Sequence, residues 1–452
     1  MHDVYWTARL LPHLLQDAKD MGQFQWWEEY GTPFQHAVLD MSQRGILLDK
    51  TALKEYKAQV RTELRETDKR IREAADKAEF TYTDKFPNSR DQMAVFLFDV
   101  IGLKPTKRTA KKGRGSTDQE SLTRVLRDLR KKDEPHRWLL FDVFHRSRLN
   151  TILTRYLNLE AEEDGRVRPT IKMAHVKTWR LAYANPALQQ WPPEARHIFV
   201  AKPGHVLLQA DYDQLESRIL SYYADDRPSI TVFEQGGDPH LSNAQDLFQE
   251  VSEENPTPAR NYAKTWLYRQ MYGGTAASGD KKLYCPCPKC AKHMPSTLAL
   301  KPREAALAEE RWHARHPAVK LWQAEVERDV RSTHRFPLLL GGYRYISSPW
   351  TRDLAREMKN IPMQSGVARV MIRAQNTLHH RYKAPIVLQH HDSFVLEVPE
   401  DAVQDWDAIV RSEMEMPVQI GKHEVVIPVT VKCGCNWGRY HKDTNPEGLR
   451  AT

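Results

Sequence analysis

The pattern LLDKTALKEYKAQVRTELRETDKRIREAADKA has a helical period but carries charge on most of its faces, so it predicts one long helix projecting away from a core. Asp49 or Thr51 stands where such a helix would be capped. A second helical pattern covers TDQESLTRVLRDLRKK and, after a break at Pro135, HRWLLFDVFHRSRLNTILTRYLNL. Beyond Gly165 the pattern changes to short strands and Pro-punctuated loops, and HVLLQADYD reads as a buried strand running into the helix QLESRILSYYADD. After Pro258, ARNYAKTWLYRQMYGG is again helical and stops at paired glycines. The stretch KPREAALAEERWHARHPAVKLWQAEVERDVRS adds further helix. APIVLQHHDSFVLEVP alternates on both sides of a short polar centre, which predicts a β-hairpin with His391, Asp392 and Ser393 at or near its turn. There is no internal repeat and no low-complexity tract.

Length turns these elements into several subdomains, because 452 residues exceed the roughly 250–300 at which a single core stops growing. The formal charge is +8, yet charged residues of both signs make up 28% of the chain, so the basic excess is local, as a groove would be. Its densest piece is KPTKRTAKKGRGSTD, where Lys104, Lys107, Arg108, Lys111, Lys112 and Arg114 crowd a Gly-rich loop at the tip of the helical projection. That loop suits a polyanion backbone; a solvated linker is the bland alternative. The N-terminal MHDVYWTARLLPHLL lacks the order of a signal peptide, and no 18-residue apolar run predicts a membrane span. Five cysteines, an odd number in a large chain, argue against a secreted disulfide framework and for a reducing, cytosol-like compartment.

A carboxylate that ends a buried strand, as Asp211 does, is costly unless paired or metal-bound. Asp392 occupies a similar position on a separate hairpin. Brought together, the two could hold two divalent cations about 4 Å apart, the arrangement that stabilises attacking and leaving oxygens in phosphoryl transfer. Oxygen ligands beside phosphate favour Mg²⁺. Taken singly, each aspartate is the ordinary N-cap or turn residue. A third element changes this: Arg260, Lys264, Tyr268 and Tyr272 recur every fourth residue and project along one helix face, drifting only about 40° per step. Two cations followed by two rings fit a triphosphate, then a sugar and base, although a basic amphipathic surface helix has the same pattern.

With these residues in place the chain resembles the family A DNA polymerases of the bacterial polymerase I type. DYDQLESR is similar to the family's motif A (DYSQIELR), RNYAKTWLYRQMYG to motif B (R-x3-K-x3-F/Y-x3-YG) and HHDS to motif C (HDE), in family order. TWRLAYANPALQQWP resembles TGRLSSxxPNLQNIP, and REMKNIPMQSG resembles ERAAINAPMQG; PNSRDQMAVFLFDVIGL and the basic loop with STD are weaker likenesses to the family's thumb. The likeness runs from about residue 31 to about residue 440.

The resemblance implies an α+β fold shaped as a right hand, with an antiparallel β-sheet palm and a largely helical thumb and fingers. The thumb would span 31–160, the palm 161–235 and 346–452, and the fingers 236–345. It implies template-directed addition of deoxynucleotides to a primer 3′ end by two-metal phosphoryl transfer, in replication or repair. Asp211 and Asp392, helped by the Tyr212 carbonyl, would hold two Mg²⁺ ions, and Glu216 would reject ribonucleotides beside the sugar 2′ carbon. Arg260, Lys264 and His240 would grip the triphosphate, with Lys264 placed to protonate pyrophosphate. Tyr268 would pack on the sugar, with Gln214 also at the nucleotide and Tyr272 near the templating base. Arg180, Gln189, Gln364 and His391 would contact the primer end or minor groove, Arg356 and Asn360 the template side, and Lys107, Arg108, Lys111 and Lys112 the duplex. Primer-template DNA and deoxynucleoside triphosphates are the implied partners, with a separate exonuclease subunit or processivity factor beside them, in a bacterial or phage-infected cytoplasm. A single-subunit RNA polymerase would share the palm, but Glu216 speaks against it. The third reading is a catalytically inactive DNA-binding protein.

The chain departs from the family pattern at four places. Ser393 stands where the family has Glu, Asp213 where it has Ser, and Trp179 where it has the Gly of TGR. Asp211 and Asp213 are expected on one strand face, which would let Asp213 restore the charge missing at 393. The segment YCPCPKCAKH replaces the usual fingers sequence, and Cys285, Cys287, Cys290 and His293 form either a tight structural zinc set or a reduced loop. Cys433 and Cys435 either supply further ligands to that set or are ordinary free thiols. HDVYWTARLL, residues 2–11, resembles the end of a 3′–5′ exonuclease domain, with Asp3 as one metal ligand within a 1–30 remnant. One such carboxylate builds no nuclease site, so no proofreading is expected of this chain.

Overall fold

The computed structural model describes residues 2–110, 113–129, 134–247, 259–260, 263–264, 266–267, 270 and 302–452. It combines many helices with antiparallel sheets. The first helix, α1 (His2–Asp20), leaves Trp6, Leu10 and Leu14 exposed. A π-helical turn, Trp27–Gly31, leads into α2 (Thr32–Arg44). Gly31 is required there because a Cβ would lie 2.5 Å from the Trp27 ring.

The long charged pattern is the helix α3 (Lys50–Lys77), and Asp49 caps it by accepting from the Thr51 and Ala52 N–H groups at 2.8 and 2.9 Å. It packs along α4 (Glu134–Thr151), which begins beside Pro135. Arg70–Asp142 at 2.7 Å, Arg146–Asp68 at 2.6 Å and His145–Glu63 at 2.8 Å tie the two helices together. Ile71, Phe86, Phe96, Leu97, Leu122, Leu140 and Phe144 form a core of their own between and beyond these helices. Each such fully buried side chain contributes roughly 1.5–3 kcal/mol, so the projection has its own hydrophobic reason to hold shape.

The larger core surrounds a five-stranded sheet built from β1 (His205–Tyr212), β2 (Ile386–His390), β3 (Ser393–Pro399), β4 (Val429–Gly434) and β5 (Arg450–Ala451). The spatial order is β5-β4-β1-β3-β2, with every neighbouring pair antiparallel. The predicted hairpin is β2–β3, and its partner is the predicted strand β1. Leu208, Ala210 and Tyr212 alternate onto one face of β1, and the Tyr212 hydroxyl donates to the Met414 carbonyl at 2.7 Å. Asp211 therefore points to the opposite face.

Among the helices packed around this sheet are α2, α5 (Leu215–Tyr223), α6 (Pro317–Thr333), α7 (Arg352–Tyr382) and α8 (Val403–Met414). The helical pattern over 301–332 is two helices, Pro302–Arg315 and α6. The break falls at His316, whose Nδ1 lies 2.8 Å from Asp226 Oδ2 in a buried pair, and Pro317 starts the next helix with no N–H to satisfy. Among the described residues no helix is long and apolar enough to cross a membrane.

Ten described non-glycine residues have positive φ. Three of them bear on the predicted site: Trp179 (φ 64°) precedes Arg180, Gln214 (φ 55°) starts the helix that carries Glu216, and His391 (φ 57°) precedes Asp392. Each such backbone costs about 1–3 kcal/mol and persists only where surrounding contacts over-determine it.

Candidate active site

Antiparallel pairing brings the two aspartates together. Asp211 is directly opposite Ser393 on β3 and Thr430 on β4, so those three side chains form a row across the sheet. Asp392 is the turn residue just before Ser393, and its carbonyl accepts the Tyr212 N–H at 3.1 Å. Two carboxylates thus come together at the end of the sheet's central strand, from segments about 180 residues apart in the chain. Burial raises Asp211 to about 7, with the negative charge of Asp392 adding to it and Lys432 opposing it; Asp392 is raised as well, chiefly by burial. Neither carboxylate makes an ion pair among the described residues. Lys264, on the exposed side of its helix, lies close enough for its charge to act on both.

The charged helix stripe is partly placed. Arg260 Nε donates to Asp238 Oδ2, and Asp238 Oδ1 accepts the His240 N–H at 2.8 Å. Asp238 is a partner that the sequence reading missed, and it sits two residues before His240. The His240 ring is almost fully buried and is pushed down to about 4 by burial and by Lys264, so it is neutral near pH 7. Tyr268, Tyr272 and the Cys285, Cys287, Cys290, His293 set lie outside the described residues.

Glu216 stands in the first turn of α5, with Arg180 Nη2 3.5 Å from its carboxylate. The Gln214 side-chain oxygen is buried with no hydrogen bond among the described residues. His391 is exposed at the hairpin turn with its ring centroid 4.4 Å from that of His390. Behind them Arg196 Nη2 lies 3.0 Å from His390 Nε2 and near Asp211, a second contact absent from the sequence reading. On α7, Arg356, Asn360 and Gln364 follow one another at four-residue spacing along one face; Arg356 is exposed, 3.6 Å from Asp353, and Asn360 Oδ1 is buried without a partner among the described residues.

Asp213 corrects one expectation. Strand β1 ends at Tyr212, so Asp213 is a turn residue and does not share the strand face by alternation. Its carboxylate nevertheless reaches that side, because Thr430 Oγ1 donates to Asp213 Oδ1 at 2.7 Å. Ser393, buried, donates to the His390 carbonyl at 2.9 Å.

The basic loop is more ordered than a linker. Thr109 N–H donates to the Arg114 carbonyl at 2.8 Å, Arg108 donates to the Gly113 carbonyl at 2.8 Å, and Lys107 lies 3.7 Å from Asp118, the cap of the next helix. Lys104 and Arg114 are exposed, and Lys111 and Lys112 lie outside the described residues. Cys433 and Cys435 are free thiols, and a hydrogen bond to Glu447 pushes Cys435 up to about 11. The Asp3 side chain is outside the described residues.

Comparison with known proteins identifies the family and the fold. A profile of DNA polymerase family A matches residues 50–439. The chain is 28% identical over 427 residues to the thermostable DNA polymerase I of Thermus filiformis, covering 91% of this chain and 48% of that protein. It is 26% identical over 432 residues to the DNA polymerase I of Geobacillus stearothermophilus, covering 90% of this chain and 45% of that protein. The chain thus spans about half the length of the curated relatives it matches. The POL domain of Pol1 from M. smegmatis, solved in complex with DNA primer-template and dNTP, has a similar fold: the TM-score is 0.76 at 24% identity, over 94% of this chain and 73% of that one.

Proposed function

The chain belongs to DNA polymerase family A, and we propose that it extends a primer 3′ end with deoxynucleotides on a DNA template, in replication or repair in a bacterial cytoplasm. The observation that carries this reading is the meeting of Asp211 and Asp392 at the end of the central strand with Lys264 in electrostatic range of both. The sheet with its backing helices is read as the palm (161–235 and 346–452), 31–160 as the thumb, whose separate core runs from Ile71 to Phe144 while its two ends pack on the larger core, and 236–345 as the fingers.

The donor set fits magnesium. Both carboxylates are hard oxygen donors, their burial and mutual repulsion leave a deficit of positive charge, and the Tyr212 carbonyl is a third oxygen nearby. Among the described residues no three His, Cys, Asp or Glu side chains are grouped to hold a metal; phosphate and water oxygens would supply the remaining ligands. When bound, two Mg²⁺ ions would lower the charge barrier on the attacking and leaving oxygens.

The chain's own residues do the rest. Lys264 and Arg260 meet the triphosphate, and Lys264 gives a proton to departing pyrophosphate. Asp238 orients the Arg260 fork. Glu216, fixed by Arg180, occupies the space a ribose 2′ hydroxyl would need. His391, Arg180, Gln189 and Gln364 line the primer end, and Arg356 and Asn360 the template side. Minor-groove acceptors are shared by all base pairs, so such contacts sense pair shape without reading sequence. The exposed cations of the 104–114 loop meet duplex phosphates.

The test is extension of a labelled primer on a template with Mg²⁺, comparing deoxy- and ribonucleotides. Template-matched deoxynucleotide addition is the expected result. Efficient ribonucleotide addition would favour an RNA polymerase, and duplex binding without extension a non-catalytic DNA-binding protein.

A further inference from the structure

Trp179 has left-handed backbone (φ 64°), a conformation that an indole-bearing residue adopts only under constraint. Its ring meets the Trp26 ring edge-on at 5.0 Å between centroids and the Trp27 ring at 5.6 Å. These two rings come from the segment that joins α1 to α2, more than 150 residues earlier in the chain. Trp26 is itself fixed: the Arg369 guanidinium lies 4.1 Å over its ring, and Arg369 is buried and donates to the Leu339 and Gly341 carbonyls. The constraint is therefore tertiary, an aromatic key in a lock built from three segments. The residue the key carries next to it is Arg180, whose guanidinium lies 3.5 Å from Glu216.

We propose that Trp179 is a positioning residue: held between Trp26 and Trp27, it fixes the strained turn that directs Arg180 into the site and keeps it on Glu216. Strain of this kind is retained where it aims a functional group. A tryptophan that merely filled the core would need no left-handed backbone, and its neighbour's charge would not reach the reacting centre. Arg180 does reach it, since its charge bears on both Asp392 and His391. The lock also joins the hairpin after α6 to the loop that carries Arg180, so the 24–31 segment contributes to the geometry of the site without touching it.

The inference rests on the polymerase reading, and the experiment separates the two. Primer extension and the preference for deoxy- over ribonucleotides are measured for wild type, Trp179→Gly, Trp179→Phe, Arg180→Ala and the Trp179→Gly/Arg180→Ala double variant, with melting temperature recorded for each. Trp179→Gly relieves the backbone but removes the key. It should lower extension efficiency by about tenfold, a size usual for coupled contacting residues, and loosen deoxynucleotide preference as Arg180→Ala does. The double variant should be no worse than Arg180→Ala alone, and Trp179→Phe should recover most of the loss. A ring lost only for stability would shift the melting temperature and leave the nucleotide preference alone. Trp179→Gly behaving like wild type, or its loss multiplying with that of Arg180→Ala, overturns the inference. If Trp179→Gly does not fold, Trp26→Leu removes the other half of the ring contact and is judged by the same criteria. A wild-type protein that does not extend the primer overturns the polymerase reading instead.

Discussion

In the helical projection, Arg70, Arg146 and His145 each sit within hydrogen-bond distance of a carboxylate on the facing helix, over a core that stands apart from the rest of the molecule. At the end of the central strand, pairing brings Asp211 and Asp392 together, and neither makes an ion pair among the described residues. Between its facing helices the first region neutralises its charges internally. The second holds an excess of negative charge that a proton or an incoming cation relieves, at a cost in stability that packing beneath the sheet must offset. Stability and function are thus divided between regions, and the two should respond differently to substitution.

The largest expected effect is at the paired aspartates. Asp211→Asn or Asp392→Asn removes the charge that would hold metal, and extension should fall by a factor on the order of a thousand or more while duplex affinity stays within a few-fold. The variants should also be no less stable than wild type without metal, because a repulsive pair has been relieved. Near-normal turnover in both would remove the two-metal assignment.

The projection should show the reverse. Neutralising Lys107, Arg108, Lys111 and Lys112 together should weaken duplex binding and reduce the slope of log affinity against log salt by up to about 4, since each lost phosphate contact removes roughly 0.9. The chemical step at saturating DNA should be unaffected. Lys107–Asp118 and Arg108–Gly113 tether two of these cations, so a smaller change in slope would mean that those side chains serve the loop and not the DNA. An unchanged slope would return the loop to a linker.

Much of this contrast was legible in the sequence, because both regions leave a strong local signal. The polar helical period announced α3, and the apolar runs ending in Asp211 and Asp392 announced strands that stop at a carboxylate. What was not legible is pairing. Nothing in the alternation of VTVK says that Thr430 lies across from Asp211, that Lys432 opposes the Asp211 charge, or that Asp238 holds Arg260. Register is a property of two strands, whereas a pattern describes one. Asp213 failed for a related reason: the strand period was carried one residue past the point where the turn begins. Trp179 was visible as an odd residue, but its backbone and its lock depend on Trp26 and Trp27, which no local pattern connects to it.

At the sugar end of the site the expected effect is smaller. Glu216→Ala opens the space beside the 2′ carbon and frees Arg180, and ribonucleotide incorporation should rise by about ten- to a hundredfold relative to deoxynucleotide, the range set by losing one well-placed steric contact. Unchanged discrimination would place the gate elsewhere.

Acid–base behaviour sharpens the comparison without any turnover. Asp211 is raised to about 7 in the metal-free fold, above its unfolded value, so its protonated form is stabilised by folding. That contribution is complete below the unfolded pKa and is lost as pH rises through about 7. Metal-free protein should therefore lose sheet stability between about pH 4 and pH 7 from this group. Magnesium needs the carboxylate, so the rise in melting temperature on adding Mg²⁺ should be greater at pH 8 than at pH 6. An equal rise at both would mean that the aspartates are not what the cation meets.

The smallest effect concerns Asp213 and Ser393. Three contacts hold Asp213: its N–H donates to the Pro428 carbonyl at 2.9 Å, its carbonyl accepts from Arg218 Nε at 2.9 Å, and Oδ1 accepts from Thr430. The other carboxylate oxygen makes no hydrogen bond among the described residues, and its charge adds to the pressure on Asp211. Ser393 is buried directly opposite Asp211, with its hydroxyl committed to His390. We expect Asp213 to meet the metal through water, supplying charge that position 393 lacks. Asp213→Ser should then weaken Mn²⁺ binding, measured by titration in the absence of nucleotide, by a few-fold, the size of a lost water-mediated carboxylate contact, and slow extension to match. Adding Ser393→Glu should recover much of both losses despite the cost of placing a longer acid in a buried slot, a coupling expected only of interacting positions. If the double variant shows the sum of two independent losses, the two substitutions are unrelated, and Asp213 serves only to anchor the turn through Thr430.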